Sequence, residues 1–227
     1  MGLPSNQIKL TNYIMCKNTI FLIFTLMSTC LIGQSTFSLK DIQRQSSVTY
    51  SLSNNGTYRN MNVAINNRSS ITKKAKVECG TIFKNSNSSE QNLVVLFYDE
   101  LSVNAGHQKS AVLVTACMDA AKRAPSSSSR WTIDYNQGIG RLIEYYHSFR
   151  PAIALLTGPE HHSTKEKQIN FLQMAVWTYY KCDKSHIVDF SAKYMFDGDK
   201  EAAEQYVEVT YPLIEVFIEN YKLLYDE

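Results

Sequence analysis

Any chemistry in this chain has to be built from 5 histidines, 5 cysteines, 21 carboxylates and scattered hydroxyls. A hydrolase elbow needs Gly-x-Ser-x-Gly, so that a strand-to-helix turn presents the serine; no such run occurs. The His-Glu-x-x-His of zinc proteases and paired Cys-x-x-Cys ligands are also missing. Gly138-Ile139-Gly140 lacks the third glycine of a dinucleotide cradle and follows no parallel strand. Glu160-His161-His162 sets three metal-ligand types side by side. Adjacent side chains diverge, so the segment reads as an exposed interhelical loop, with no metal site expected. Asp197-Gly198-Asp199 lacks the twelve-residue loop and closing Glu of a calcium hand; Asp199 reads instead as a helix N-cap. His107, His147 and His186 stand alone, and would form a hydrolase site only if the fold assembled them in space. No cofactor is expected.

Cysteine and glutamine carry the remaining possibilities. Cys16 and Cys30 lie in the N-terminal apolar region, leaving Cys79, Cys117 and Cys182 in the body of the chain. Three is an odd number, so at most one disulfide is expected, and Cys79 with Cys117 is the preferred pair because both occupy strand-like positions. Further along, Gln173-Met174-Ala175-Val176-Trp177 resembles the Gln-x-Ala-(Ile/Val)-Trp stretch of thioester-containing surface domains in Gram-positive adhesins. The resemblance covers five residues. It implies that Gln173 is the acyl partner of a cysteine, Cys117 or Cys79, in an internal thioester that captures amines. On the residues alone, Ala175, Val176 and Trp177 are the buried side of an amphipathic helix, and Gln173 is surface or a buried hydrogen-bonding group.

Two periodicities position these residues. Up to about residue 133 the apolar period is two: Val48, Tyr50 and Leu52, then Met61, Val63 and Ile65, then Val77 to Phe83 with a bend at Gly80. Leu93 to Tyr98 is apolar on both faces and reads as a covered central strand, and Ser110 to Met118 as another. The expected class is α+β: an antiparallel β-sandwich of immunoglobulin-like size over residues 35–133, followed by a bundle of three to four α-helices, as domain or cap, over residues 134–227. Ala124-Pro125 and the four serines after it read as a linker. Beyond it the period becomes 3.6, with Ile139, Leu142, Ile143, Tyr146 and Phe149 in one stripe that Pro151 interrupts. Ser163-Thr164-Lys165-Glu166 forms a capping box for the next helix.

The N-terminus suggests an address. Lys9 and Lys17 precede an apolar run from Ile20 to Ile32, and no acidic residue appears before Asp41. Residues 1–34 therefore read as a signal peptide, with Met15 as an alternative start; a lipoprotein leader cleaved before Cys30 and an uncleaved membrane anchor are the alternatives. The apolar run is short for a membrane span, so the mature chain is expected outside the cytoplasm with no transmembrane segment. Asn55, Asn67 and Asn87 begin sequons that a eukaryotic host would glycosylate, and would then be exposed. A net charge of +2 gives no reason to expect nucleic acid as a partner. The balance hides an asymmetry, because the chain from Asp197 onward is strongly acidic and its glutamates read as a solvated helix face. Together these features point to a secreted or surface non-enzymatic interaction or structural module, with another protein or a surface ligand as partner. The alternatives are a Cys–Gln thioester domain and a secreted hydrolase with a dispersed site.

Overall fold

The computed structural model describes residues 34–225. The expected leader, with Cys16 and Cys30, lies outside them except for Gln34, which opens the first strand. Among the described residues the fold is α+β, with nine strands in two sheets followed by four α-helices. One sheet holds β1 (Gln34–Ser38), β4 (Thr72–Val77) and β7 (Asp99–Val103), in the order β1-β4-β7. The other holds β2 (Val48–Ser53), β3 (Asn60–Asn67), β5 (Thr81–Asn85), β6 (Leu93–Val95), β8 (Gln108–Cys117) and β9 (Trp131–Tyr135), in the order β2-β3-β8-β6-β5-β9.

The sheets are not wholly antiparallel, because β1 runs parallel to β4 from Gln34↔Thr72 to Ser38↔Lys76. A parallel pair needs a long connection, and the 3-10 turn Leu39–Arg44 with the β2–β3 hairpin supplies one. Alternation explains β3, whose Met61, Val63, Ile65 and Asn67 face inward. The Val77–Phe83 run splits into β4 and β5 at Gly80, which has φ +84°. A Cβ there would sit 2.6 Å from the Gly140 Cα, so this turn packs straight against a helix backbone. The serine run is not a free linker. It folds around Glu90 and delivers β9 back to pair with β5.

The helices are α1 (Gln137–Thr157), α2 (Lys165–Tyr179), α3 (Lys184–Met195) and α4 (Lys200–Tyr225). Asn136, Thr164, Asp183 and Asp199 each accept a backbone N–H of the first turn, which satisfies donors the helix cannot use itself. Pro151 does not interrupt α1, which continues to Thr157. It removes one ladder bond, and packing of Ile153 and Thr157 carries the helix past it. The acidic face of α4 is solvated, with Glu201, Glu204, Glu208, Glu215 and Glu219 exposed. One apolar core runs through both halves, from Leu39 and Phe83 to Trp177 and Tyr221. Among the described residues no helix is long and apolar enough to cross a membrane.

Candidate functional site

Strand β8 outruns its neighbour. Its pairing with β3 ends at Asn60↔Val114, after which the Thr115 N–H goes to the Arg59 carbonyl at 2.8 Å. On the other edge β6 continues the ladder to Leu93↔Cys117. The amide and carbonyl of Cys117 therefore face away from β6 with no strand left to meet them. The side chain of Gln173 fills that place. Its Oε1 accepts the Cys117 N–H at 2.8 Å, and its Nε2 donates to the Cys117 carbonyl at 2.7 Å. A helix side chain thus serves as the last rung of a β-ladder.

Gln173 is delivered there by α2, whose residues from Phe171 to Trp177 are all buried. Thr164 starts the helix by accepting the Lys167 N–H at 3.2 Å. The site is dry, with Cys117 at 0% and Gln173 at 2% exposure. Burial, with some help from the charge of Asp119, pushes the Cys117 thiol well above its ordinary pKa, so the sulfur keeps its proton. The Gln173 amide is held against the main chain of the residue that carries that sulfur. Its carbonyl is polarised by the Cys117 N–H, the arrangement that stabilises negative charge on a carbonyl oxygen under attack.

Tyr58 and Arg59 border the pair. Thr115 Oγ1 donates to the Tyr58 carbonyl at 3.0 Å, and the Tyr58 ring stands edge-on to Phe190 of α3 at 5.1 Å. Arg59 donates from Nη2 to Asn170 Oδ1 at 3.0 Å, from Nη1 to Glu166 Oε1 at 3.3 Å and from Nε to the Tyr58 hydroxyl at 3.0 Å.

The other sequence candidates fall elsewhere. Cys79 and Cys117 do not form the expected disulfide, and with Cys182 they are free thiols. The Cys79 Sγ lies 3.8 Å from the Leu96 carbonyl, and Gln173 engages the main chain of Cys117. Burial pushes the Cys79 thiol up to about 12, the charge of Glu144 adding to it. Asn55 is exposed. Asn67 is fully buried, with its Nδ2 directed at the carbonyls of Ile71, Val103 and Asn104; a glycan cannot occupy that nitrogen in this fold. Asn87 is exposed, but its Nδ2 is turned onto Glu90. His107 bonds the Ala105 carbonyl from the β7–β8 turn, His147 bonds the Leu96 carbonyl from α1, and His186 is exposed on α3, so each answers to a different neighbour. No group of three metal-ligand side chains occurs among the described residues.

Sequence reasoning missed two buried polar centres. His162, expected in an exposed loop, is buried between Tyr146 and Thr157. The Thr157 hydroxyl donates to the Ile153 carbonyl, so it accepts from His162 Nε2, and Nδ1 accepts from the Tyr146 hydroxyl. Burial lowers the His162 pKa to about 4, assisted by the charges of His161 and Arg150, and Glu160 opposes the shift. Glu90 gathers the side chains of Ser129, Asn85 and Asn87 and the Ser126 amide, and the Ser129 hydroxyl, helped by Ser126 and Asn85 against the opposing effect of burial, holds its carboxyl down at about 2. Comparison with known proteins finds no matching family model, curated protein or solved structure.

Proposed function

We propose that this protein is an extracytoplasmic, non-enzymatic binding module whose reactive element is an internal thioester between Cys117 and Gln173. The observation that carries the reading is the paired hydrogen bonding of the Gln173 amide with the Cys117 main chain, at 2.8 and 2.7 Å. The two residues are 56 apart in sequence, and only the fold joins them. The Cys117 sulfur adds to Cδ of Gln173, the S–Cδ bond forms, the Cδ–Nε2 bond breaks, and ammonia departs with the thiol proton. A primary amine on a surface then attacks Cδ, giving an amide at Gln173 and returning Cys117 as a thiol. No electrons are gained or lost. A dry site suits a neutral thioester, since it excludes the water that would hydrolyse it.

The export reading rests on Lys17 and the apolar run from Ile20 to Ile32. In the same reading the two sheets face each other as a sandwich and the helices close one end, presenting α2 to β8.

Intact mass tests the reaction. The purified protein is expected to weigh about 17 Da less than its sequence, and to gain methylamine at Gln173. An N-terminal glutamine exposed by cleavage would also lose ammonia by cyclising. A Cys117→Ala variant separates the two losses, because only the thioester loss disappears. A wild-type mass equal to that of the variant after allowing for the substitution, with no methylamine at Gln173, overturns the reading.

A further inference from the structure

The Cys117–Gln173 pair is closed to solvent, so whatever covers it decides what can react there. On the strand-edge side that cover is Tyr58–Arg59. The Arg59 carbonyl takes the Thr115 N–H, and the next N–H on the same edge, that of Cys117, takes Gln173. Arg59 and the Gln173 amide are therefore successive partners of β8, roughly 7 Å apart along the strand. The Arg59 side chain then turns onto α2, where it binds Asn170 and Glu166. Glu166, Asn170 and Gln173 are spaced i, i+4 and i+7 and share one helix face. Arg59 thus ties the segment before β3 to the very face of α2 that carries Gln173.

We infer that Arg59 is the access-determining residue of this site, its guanidinium closing the gap between the β8 edge and α2 beside Cys117 and Gln173. Opening the fork admits a small nucleophile. The backbone stays in place when the fork releases, because Asn54 holds the turn to Thr57 and Asn60 and Thr115 holds the Tyr58 and Arg59 carbonyls on β8, so the part that moves is the Arg59 side chain. The outer end of the latch is wet, with the Glu166 side chain 73% exposed against 28% for Arg59, so raised salt weakens it. The identity of the amine rests on the thioester reading. The latch does not, because Arg59 ties α2 to the segment beside β8 whether Cys117 is acylated or free.

The purified full chain is treated with methylamine and, separately, with iodoacetamide, and modification is mapped by peptide mass, with Cys79 and Cys182 as internal references. Arg59→Ala is expected to raise the rate at Gln173 or Cys117 by about tenfold or more, the scale set by a charge-assisted hydrogen-bond set, without changing the rate at Cys79. Glu166→Gln, at an exposed position that folding tolerates, gives a smaller rise in the same direction, and added salt speeds the wild type. Equal rates at the Cys117–Gln173 site in Arg59→Ala, Glu166→Gln and wild type overturn the latch. So does an equal increase at all three cysteines, which would mean general loosening. If the wild type shows no ammonia loss, the thioester reading falls, and alkylation of Cys117 still decides the latch.

Discussion

Three buried side chains in this protein each do one job that a neighbouring substitution cannot take over. Replacing Gln173 with Ala leaves the N–H and carbonyl of Cys117 buried and unpaired, at about 1–3 kcal/mol for each orphaned group. Denaturant melting is expected to show that loss in full where the Gln173 amide is intact, since a thioester has already given up Nε2 and its bond to the carbonyl, whereas an ionised Gln173→Glu keeps an acceptor for the N–H but presents no donor to the carbonyl. His162 makes stability depend on pH. It stays neutral in the fold down to about 4, while in the unfolded chain it takes its proton near 6.5. The unfolded state therefore binds more protons in between, so the His162 contribution is complete above 6.5 and is lost as pH falls towards 4. Glu90 acts in a lower window: its carboxyl falls from an ordinary 4.5 to about 2, and its contribution is lost as pH drops through that range. Melting temperatures followed from pH 7 to pH 3 should decline in the upper window, and His162→Gln should flatten that part of the curve while leaving the acid limb. A His162→Gln curve parallel to the wild type would remove His162 from the account. Neither centre was legible beforehand; Tyr146, Thr157 and His162, for example, meet only after α1 and the 3-10 turn Pro159–His162 behind it have folded.

Elements show where sequence patterns speak and where they are silent. The alternation in β3 and the 3.6 stripe of α1 were readable because one face of each must be buried, and burial leaves a period. The parallel β1–β4 pair left no such trace, since register between distant strands is not written in either strand alone. The serine run reads as a linker by composition, and nothing local announces that Glu90, more than thirty residues earlier, will organise it. Phe149 belongs to the α1 stripe yet is 47% exposed, because the stripe passes Pro151 and runs out beyond the core. The turn at Gly80 carries a sharp expectation. Gly80→Ala combines a positive φ with a Cβ 2.6 Å from the Gly140 backbone, so neither strand turn nor helix can give way cheaply. It should cost about 2–4 kcal/mol in chemical denaturation. Gly106→Ala, which meets nothing within 4 Å, should cost far less. Equal losses at the two positions would mean that backbone strain alone matters and that the close approach of the turn to α1 does not.

Across the whole molecule the two halves divide the sequence but share one core. Each half carries one tryptophan, Trp131 in β9 and Trp177 in α2, which allows the halves to be watched separately. Single-tryptophan variants are expected to unfold at the same denaturant concentration, coincident with loss of helix by circular dichroism. Separate midpoints would make the helices an independent unit. The division into a period-two half and a period-3.6 half was legible throughout. The meeting of Cys117 with Gln173 was not, because it depends on β8 outlasting β3 and on α2 crossing its open edge. A five-residue resemblance named Gln173 and left Cys117 or Cys79 as its partner, and the backbone geometry is what brings Gln173 to Cys117. The most direct test is proteolysis of the native protein under mildly acidic conditions that spare thioesters, followed by peptide mass mapping. A single species joining the Cys117 and Gln173 peptides, short by one ammonia and parted by methylamine, is the predicted result. Recovery of both peptides separately, with a free Cys117 thiol and an unaltered Gln173 amide, would contradict it.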